Sequence, residues 1–347
     1  MPPRGFEPLR VAPYAPEAYA STNCATEAPR LPKIITHKHF IPIVQYRCMK
    51  NEWKKLPEAF LDRLEQIVPK DAVKRILHAY TVQRKTTIRV NTLKTTTEEL
   101  LTIFKEHHII YKPSDISPIA FIIQNEKRDL LDLDAYTKGL FYIQSLSSQL
   151  PALALDPKPN EKILDIAAAP GSKTTQIAAI MNNTGEIVAN DNSRIRGYKL
   201  EANLKTQGVT NTKIGISAGQ TLWQIYPEYF DRALVDAPCS MEGTFTTTNP
   251  KTYEHWSVKE NKELVQRQKW LLRSAISATK PGGIIVYSTC TLEPSENEQV
   301  IEWILKKEKG HIELAKPMSH IYPSETMEGF FVATLKKTSS TIPSVLL

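Results

Sequence analysis

An α/β protein with a mostly parallel, twisted sheet between two layers of helices is the fold class that the sequence predicts. Three observations lead to it. From Lys162 onward, short apolar runs that are typical of buried strands alternate with longer segments of helical period. This alternation favours parallel strands, because each helix returns the chain to the same edge of the sheet. A run of small residues after the first of these strands is typical of turns that bind ligands in such sheets.

The predicted elements follow one another along the chain. Strands are expected near residues 162–167, 186–190, 212–217, 230–236 and 283–289, with two late strands near 311–315 and 330–335. Helices are expected near 172–181, 193–207 and 258–279. Pro281-Gly282-Gly283 should end the third helix. Ser295 and Glu298 have the spacing of a capping box, which predicts a further helix through about Lys307.

The chain upstream of this pattern divides into two parts. Helical periodicity begins near Leu56, a strand is expected over 87–91, and short apolar and polar stretches alternate over 109–143. We therefore predict a small α/β accessory domain over 49–140, a main domain over 141–337 and a tail over 338–347. Residues 1–48 are rich in Pro and Ala without a sustained period, which favours a disordered tail.

An alternative interpretation of residues 1–48 comes from the segment Gly5-Phe6-Glu7-Pro8. Gly-Phe-Glu-Pro is encoded by the T-arm of a tRNA gene translated in the antisense direction. On this interpretation, translation starts at Met49, and the upstream residues derive from a neighbouring tRNA gene. An intact N-terminal peptide that begins before Met49 would exclude it.

Composition limits the class of protein. Hydrophobic residues make up 41% of the 347 residues, and no apolar run approaches the roughly 20 residues that cross a bilayer. The first residues lack the apolar stretch of a signal peptide, so a cytoplasmic protein is expected. The net charge of +7 fits a polyanionic partner without requiring one. None of the cysteines (Cys24, Cys48, Cys239 and Cys290) forms a Cys-x-x-Cys pair, so no metal site is expected.

The turn after the first main-domain strand is the best candidate for a ligand site. It comprises Ala167, Ala168, Ala169, Pro170, Gly171, Ser172 and Lys173. Small residues let a ligand approach the backbone, the following helix N-terminus offers free N–H groups to a carboxylate, and Lys173 adds a positive charge. Neither a P-loop, which needs Gly directly before Lys, nor a G-x-G-x-x-G dinucleotide loop is present. A tight structural turn is the alternative.

Asp191 stands at the end of the second strand of the main domain. Its distance from the first loop is close to the roughly 20 residues at which an acid binds ribose hydroxyls in such folds. The same carboxylate could equally cap the helix that follows.

Two cysteines follow adjacent predicted strands at the same edge of the sheet. Cys239 comes after Asp236-Ala237-Pro238 at the end of the fourth strand, and Cys290 comes at the end of the fifth. Each alone is most simply a small buried apolar residue, but two at adjacent strand ends indicate chemistry. A thiolate that adds to carbon 6 of a cytosine makes carbon 5 nucleophilic enough to take a methyl group. Asp236 could hydrogen-bond the base, and the pattern alone does not choose between Cys239 and Cys290 as the nucleophile.

With these motifs, the chain resembles the Fmu/Sun-type family of RNA cytosine-carbon-5 methyltransferases, and it is closest to the bacterial 16S ribosomal RNA branch. The matching segments are 56–60, 88–93, 139–144, 167–175, 236–244, 287–297 and 328–332. Together they span nearly all of 49–337, and the order of the two cysteine motifs is the most specific part. The resemblance implies a Rossmann-like class I methyltransferase fold that uses S-adenosylmethionine on structured RNA. Ribosomal RNA is the favoured substrate, a tRNA substrate stays open, and a monomer is expected.

The resemblance also implies roles for individual residues. Residues 167–173 correspond to the cofactor loop, and Asp191 corresponds to the acid that binds the ribose. Cys290 corresponds to the nucleophile, Cys239 is implicated in product release, and Asp236 is implicated in contacts to the cofactor or the base.

Two positions depart from the family pattern. Ala218 stands where the family usually has an acid that contacts the adenine, and Met241 replaces a small residue after Pro-Cys-Ser. Losing one hydrogen bond to the adenine would weaken cofactor binding by roughly 1–2 kcal/mol. These departures give weight to a catalytically weak protein that binds RNA as an assembly factor, whereas the retained Asp236 and cysteines favour an enzyme.

The accessory domain carries the predicted RNA contacts. Arg84, Lys85, Arg89 and Lys94 form a basic cluster suited to phosphates, although a solvated strand edge has the same composition. Tyr253 and Trp256 could stack on unpaired bases or pack onto the sheet. The target base must lie in a loop or be flipped out, because a base inside a helix is inaccessible.

Overall fold

The computed structural model describes residues 52–342, with the exception of the Glu260 side chain. The predictions for residues 1–48 lie outside the described residues. The strands are β1 (Thr87–Val90), β2 (Tyr111–Ser114), β3 (Ser117–Ile123), β4 (Phe141–Ile143), β5 (Lys162–Asp165), β6 (Glu186–Asp191), β7 (Thr212–Ile216), β8 (Phe230–Asp236), β9 (Thr279–Thr289), β10 (Ile312–Leu314), β11 (Ser319–Ile321) and β12 (Phe330–Lys337). The α-helices are α1 (Glu58–Ile67), α2 (Lys70–Thr81), α3 (Thr97–Glu106), α4 (Lys127–Leu131), α5 (Asp134–Thr137), α6 (Leu146–Leu155), α7 (Ser172–Ile180), α8 (Arg194–Gln207), α9 (Leu222–Ile225), α10 (Val258–Ala278) and α11 (Glu298–Lys307). Within this range, no helix has the length and apolarity needed to cross a membrane.

The larger sheet has the strand order β10-β12-β9-β8-β5-β6-β7. Strands β5 to β9 run parallel, and β12 pairs antiparallel with β9. The chain moves outward from β5 through β6 to β7 and then returns to β8 on the other side of β5. The strand order therefore reverses between β5 and β8, and the carboxyl ends around this point are where ligands bind in open α/β sheets.

Alternating side chains of the parallel strands contribute to two hydrophobic layers. Leu164 of β5 faces one layer, which contains Leu272 of α10. Ile163 faces the opposite layer, which contains Ile177 of α7 and Leu200 of α8. This period of two follows from the pleat of a strand, and each such side chain stabilises the fold by about 2 kcal/mol when it is fully buried. The predicted mostly parallel sheet with helices on both faces is confirmed.

A second, smaller sheet precedes the larger one and has the order β2-β3-β1-β4, with antiparallel pairing throughout. Helix α3 packs on it, and Phe104 of α3 lies against Phe141 of β4 with ring centroids 5.7 Å apart. Thr96 and Glu99 form a capping box at the start of α3. The small N-terminal α/β unit expected from the sequence is therefore present.

Arg89 of β1 lies between the two sheets and not on the surface. It is fully buried, and its Nε donates to Gln144 Oε1 at 2.9 Å while its Nη2 donates to Thr175 Oγ1 of α7 at 3.0 Å. Burial lowers the pKa of Arg89 to about 10, which still leaves it charged at neutral pH. The prediction that Arg89 binds phosphate is wrong, because the guanidinium has no access to solvent.

The helical pair α1–α2 packs onto the segment that follows β8. Phe60 contacts Tyr80, Phe245 and Trp256 in edge-to-face geometry, with centroid distances of 5.9, 5.0 and 5.7 Å. Tyr253 lies against Phe245, with ring centroids 5.9 Å apart. Tyr253 and Trp256 were expected either to stack on bases or to pack onto the sheet. The structure shows that they pack, but in the cluster formed with α1 and α2 and not on the sheet.

Helix α11 and strand β9 begin at residues other than those that the sequence predicts. Helix α11 is present through Lys307, but the capping box is wrong, because Asn297 immediately precedes the helix and makes no side-chain cap bond. The Glu298 carboxylate instead lies 3.0 Å from His320 Nε2. Strand β9 begins at Thr279, earlier than expected, because α10 passes directly into the strand without a loop.

Glu242 is buried where α1–α2, the segment after β8 and the end of β9 meet. Its Oε1 accepts a hydrogen bond from Trp256 Nε1 at 3.0 Å, and its Oε2 accepts one from Thr291 Oγ1 at 2.9 Å. Burial, assisted by the nearby acids Glu296 and Glu293, raises the pKa of Glu242 to about 7. Its protonation therefore depends on folding.

We expect Glu242→Gln to remove part of the pH dependence of stability. A glutamate in the unfolded chain ionises near pH 4.5 and native Glu242 near pH 7. Unfolding thus releases a proton between these values, so the free energy of unfolding falls as the pH rises through them. The amide cannot ionise, and it keeps both hydrogen bonds because the Thr291 hydroxyl can also accept. Between pH 5 and pH 8, urea unfolding should show a fall in the free energy of unfolding that is about 2 kcal/mol larger in the wild type than in the variant.

The exposed Glu201 on α8 offers the matched control, Glu201→Gln. This variant should follow the wild-type pH dependence. The same dependence in Glu242→Gln would contradict the assignment.

Candidate active site at the carboxyl ends of the parallel strands

The loop between β5 and α7 is held firmly at the reversal of strand order. Ala168 N donates to a carbonyl oxygen of β6 at 2.7 Å, and Arg196 Nη2 of α8 donates to Ala169 O at 2.6 Å. Gly171 has a φ of +105°, and a Cβ there would lie 2.9 Å from Leu200 Cδ1. The backbone conformation therefore requires glycine at this position, and the Leu200 side chain would have to shift to admit a Cβ. The loop proposed from the sequence as a ligand site has a fixed shape and borders an open cleft.

Asp191 ends β6 beside this loop. Its Oδ1 accepts a hydrogen bond from Ser193 N at 3.0 Å. Its Oδ2 lies 3.3 Å from Arg196 Nη1 and, although buried, has no hydrogen-bond partner among the described residues. Helix α8 is capped by Ser193, whose hydroxyl accepts from Arg196 N. The interpretation of Asp191 as the helix cap is therefore wrong. Its Oδ2 can accept a hydrogen bond from a hydroxyl group of a ligand in the cleft.

Lys173 directs its charge at Asp236 and not at the loop. Its Nζ lies 2.6 Å from Asp236 Oδ2 and donates to Ser148 Oγ at 2.9 Å. Ser288 Oγ of β9 donates to Asp236 Oδ1 at 2.8 Å. Both carboxylate oxygens are thus fixed, while the side chain keeps 29% of its surface exposed and lines the cleft. Ser148 has no distinctive spacing in the sequence, whereas Ser288 lies inside the matching segment 287–297.

Cys239 and Cys290 meet at the adjoining ends of β8 and β9. Their Sγ atoms are 3.3 Å apart, and Cys290 N donates to Cys239 Sγ at 3.3 Å. The hydrogen bond with Cys290, together with burial, raises the pKa of the Cys239 thiol well above its ordinary value. Cys239 therefore keeps its proton at neutral pH and can donate a hydrogen bond to the neighbouring sulfur. Both side chains line the same cleft as Asp191 and Asp236.

A buried carboxylate holds the segment around Cys239. Glu296 Oε2 accepts hydrogen bonds from Ser240 N at 3.1 Å and from Gln268 Nε2 at 2.7 Å. The same Gln268 nitrogen donates to Pro238 O at 2.9 Å. Burial raises the pKa of Glu296. Neither residue is predicted as a site residue from the sequence: Glu296 lies inside the matching segment 287–297, whereas Gln268 belongs to an ordinary amphipathic helix.

Asp191, Asp236, Cys239 and Cys290 line a cleft of about 330 Å³. Met241 lines it with a φ of +60° and a half-exposed side chain. Ala218 is exposed, and the next two residues, Gly219 and Gln220, line the cleft. No group of three or more His, Cys, Asp or Glu side chains within 52–342 is arranged to hold a metal ion.

The predicted basic cluster of the accessory domain does not form. The Arg84 guanidinium donates to the carbonyl oxygens of residues 243–245 at 3.3–3.4 Å, and Arg89 is buried. Lys94 Nζ donates to two backbone carbonyls, at 2.8 and 2.7 Å, but its side chain is exposed. Lys85 is also exposed. The two arginines thus serve internal contacts, which corrects their assignment to RNA, and Lys85 and Lys94 stay candidates for phosphate contacts.

Two family profiles match the chain. The profile described as 16S rRNA methyltransferase RsmB/F matches residues 152–336, more than half of the chain, and this region contains Asp191, Asp236 and both cysteines of the cleft. The profile described as a methyltransferase RsmF/B-like, ferredoxin-like domain matches residues 56–128.

Individual relatives agree with these profiles. Ribosomal RNA small subunit methyltransferase F of Enterobacter sp. is 37% identical over 306 residues, which cover 82% of this chain and 63% of that protein. The protein of the same name from Pectobacterium atrosepticum is 38% identical over 311 residues, with coverage of 83% and 64%. The chain thus spans less than two thirds of the length of these relatives. The crystal structure of a methyltransferase homolog from Pyrococcus horikoshii is 31% identical, with a TM-score of 0.73 and coverage of 83% of this chain and 99% of that one. On these matches, the chain belongs to the 16S rRNA methyltransferase RsmB/F family.

Proposed function

We propose that this chain transfers a methyl group from S-adenosylmethionine to carbon 5 of a cytosine in RNA, through a covalent bond between Cys290 and carbon 6. The observation that carries the proposal is the pair of Cys239 and Cys290 sulfurs, 3.3 Å apart in the cleft that also contains Asp191 and Asp236. Family membership supports methyl transfer to RNA. The cysteine pair supports cytosine carbon 5 as the acceptor, because this carbon becomes nucleophilic only after a thiolate adds to the ring.

The residues around the first loop fit S-adenosylmethionine. The buried Asp191 Oδ2, which has no hydrogen-bond partner within the described residues, suits a ribose hydroxyl. The N-terminus of α7 offers backbone N–H groups to the carboxylate of an amino acid. Ala167 and Ala169 line the cleft without obstructing it. When bound, the cofactor supplies an electrophilic methyl group.

The two cysteines have different roles in the proposed reaction. The Cys290 thiolate adds to carbon 6, and carbon 5 then takes the methyl group. A base removes the proton from carbon 5, after which the bond between carbon 6 and sulfur breaks. Cys239, whose raised pKa keeps its thiol protonated, donates a hydrogen bond to the departing sulfur of Cys290 and so favours release of the product.

Asp236 is the proposed contact to the base. Lys173 and Ser288 fix its carboxylate, so it pays little orientational entropy when it accepts a hydrogen bond from the exocyclic amine of cytosine. The Lys173 ammonium group lies 2.6 Å from Asp236 Oδ2 and so holds this oxygen in place. We assign recognition of the base to Asp236 and its positioning to Lys173.

Ribosomal RNA is the proposed substrate, because both relatives compared are named for the RNA of the small ribosomal subunit. A second candidate is a catalytically weak RNA-binding assembly factor. Two observations favour it: Ala218 provides no acid for the adenine, and the half-exposed Met241 side chain occupies space in the cleft.

Variants of the two cysteines separate their roles. Wild-type protein, incubated with bulk RNA that includes 30S particles and with tritiated S-adenosylmethionine, should yield labelled 5-methylcytosine. Cys290→Ala should give no label, because no thiolate adds to carbon 6. Cys239→Ala should accumulate a covalent protein–RNA adduct, which is measured as a band resistant to denaturant and sensitive to nuclease.

The outcome for the wild type decides between the two candidates. Label on tRNA in place of ribosomal RNA would keep the mechanism and change the substrate. If the wild type binds RNA but labels none, the assembly-factor hypothesis replaces the enzyme hypothesis. Full labelling by Cys290→Ala would contradict the assigned nucleophile.

Cofactor binding is tested separately by Asp191→Asn. The amide keeps the bond from Ser193 N but removes the charge that strengthens a hydrogen bond to the ribose, so the Kd for S-adenosylhomocysteine in calorimetry should rise about tenfold. Asp156→Asn is the matched control, since Asp156 is exposed and its φ of 48° suits asparagine. Equal affinities in both variants would exclude Asp191 from the cofactor site.

A further inference from the structure

Helix α10 presents an exposed tryptophan beside the cleft. Trp270 is 51% exposed, and it forms no hydrogen bond, ring contact or cation–π contact with the part of the chain that the structure describes. The opposite side of the helix is anchored in the core through Leu272 and Ile276. A single exposed apolar ring is ordinary on a protein surface, so its meaning depends on the charged residues and the cleft beside it.

The residues around Trp270 on the same side of α10 are mainly basic. The exposed charged residues of this helix, excluding the undescribed side chain of residue 260, are Lys259, Lys262, Glu263, Arg267 and Arg273. On a helical wheel these residues fall on the side of the helix that also carries Trp270. Arg273 is paired with Glu308 at 3.3 Å. Three basic side chains and the acidic Glu263 remain beside the exposed ring, and this modest positive excess suits a polyanion with planar groups.

This surface is continuous with the proposed active site. Arg267 and Leu271 both line the cleft that contains Cys239 and Cys290. Trp270 follows Arg267 by three residues, a spacing that makes their side chains neighbours on a helix. A nucleic-acid strand with its target base in the cleft would therefore pass over Arg267 and reach Trp270 within a short distance.

We propose that the α10 surface, formed by Lys259, Lys262, Arg267 and Trp270, binds the single-stranded RNA that flanks the target cytosine. Trp270 stacks on an unpaired base, and the basic side chains contact the adjoining phosphates. The inference rests on the proposed function, since it takes the cleft to hold the target base. Charge favours RNA over a protein partner, because a protein interface with a tryptophan at its centre is usually depleted of lysine.

The test uses the full chain and a single-stranded RNA of twelve nucleotides with one cytosine. Trp270→Ala should weaken RNA binding about tenfold in fluorescence anisotropy, as expected from the loss of one stacked base. Trp270→Phe keeps a ring and should restore most of the affinity. Tyr198→Ala is the matched control, because Tyr198 is a 61% exposed aromatic residue on another helix. It should bind RNA as the wild type does.

Phosphate contact by Arg267 has its own readout. Arg267→Gln should reduce the slope of log Kd against log salt by about one, because one fewer phosphate is neutralised. Lys199→Gln, which removes an exposed charge from α8, should leave the slope unchanged. Equal slopes in the wild type and Arg267→Gln would remove this contact from the proposal.

The results distinguish failure of this inference from failure of the proposed function. If Trp270→Ala methylates RNA with an unchanged KM, the α10 surface does not bind RNA, and the proposed function stands. If the variant raises the KM for RNA while kcat and the Kd for S-adenosylhomocysteine stay unchanged, the inference is supported. If the wild type binds no RNA at all, both proposals fall together.

Discussion

The ion pair between the buried Lys173 and the partly exposed Asp236 is the interaction on which the geometry of the site depends. It joins the first turn of α7, which follows the loop at residues 167–173, to the end of β8, which leads to Cys239. Ser288, two residues before Cys290, donates to the other oxygen of the same carboxylate. A largely buried ammonium group such as that of Lys173 loses most of its hydration and is tolerated only when its remaining donors find partners. Here Ser148 and the Phe330 ring, 5.5 Å away, complete the environment of the ammonium group.

A set of buried acids holds the segments that carry Cys239 and Cys290 on the side away from the cleft. Glu242, Glu293 and Glu296 are each 2% exposed or less. Their partners come from different parts of the fold: Trp256 for Glu242, Arg63 of α1 for Glu293, and α10 for Glu296. Because carboxylates are costly to bury, these contacts connect the position of the cysteines to the packing of the N-terminal helices.

Features of the fold that depend on local sequence pattern can be predicted from the sequence. Features that depend on contacts between distant segments cannot. Strand period and turn chemistry predict the carboxyl ends of β6, β8 and β9 at or next to their observed positions, and the common edge of parallel strands then brings the two cysteines together. The burial of Arg89 is not visible in the same way, since an arginine in a short strand is typical of a solvated edge, and only its partner Thr175 on a distant helix shows otherwise. Trp270 was missed for the opposite reason. A tryptophan within an amphipathic helix normally indicates the buried face, and only the structure shows that it is exposed.

The small sheet and the loop at residues 167–173 are connected through buried hydrogen bonds. Arg89 of β1 bonds Thr175, two residues beyond Lys173, and Asn91 at the end of the same strand donates to Gln207 O at the end of α8. Helix α8 in turn holds the loop through Arg196. A displacement of the small sheet would therefore reach both sides of this loop through polar groups that cannot shift without losing buried partners. Such groups cost about 1–3 kcal/mol each when left unpaired. This favours a small sheet that moves together with the loop at residues 167–173 as one rigid support.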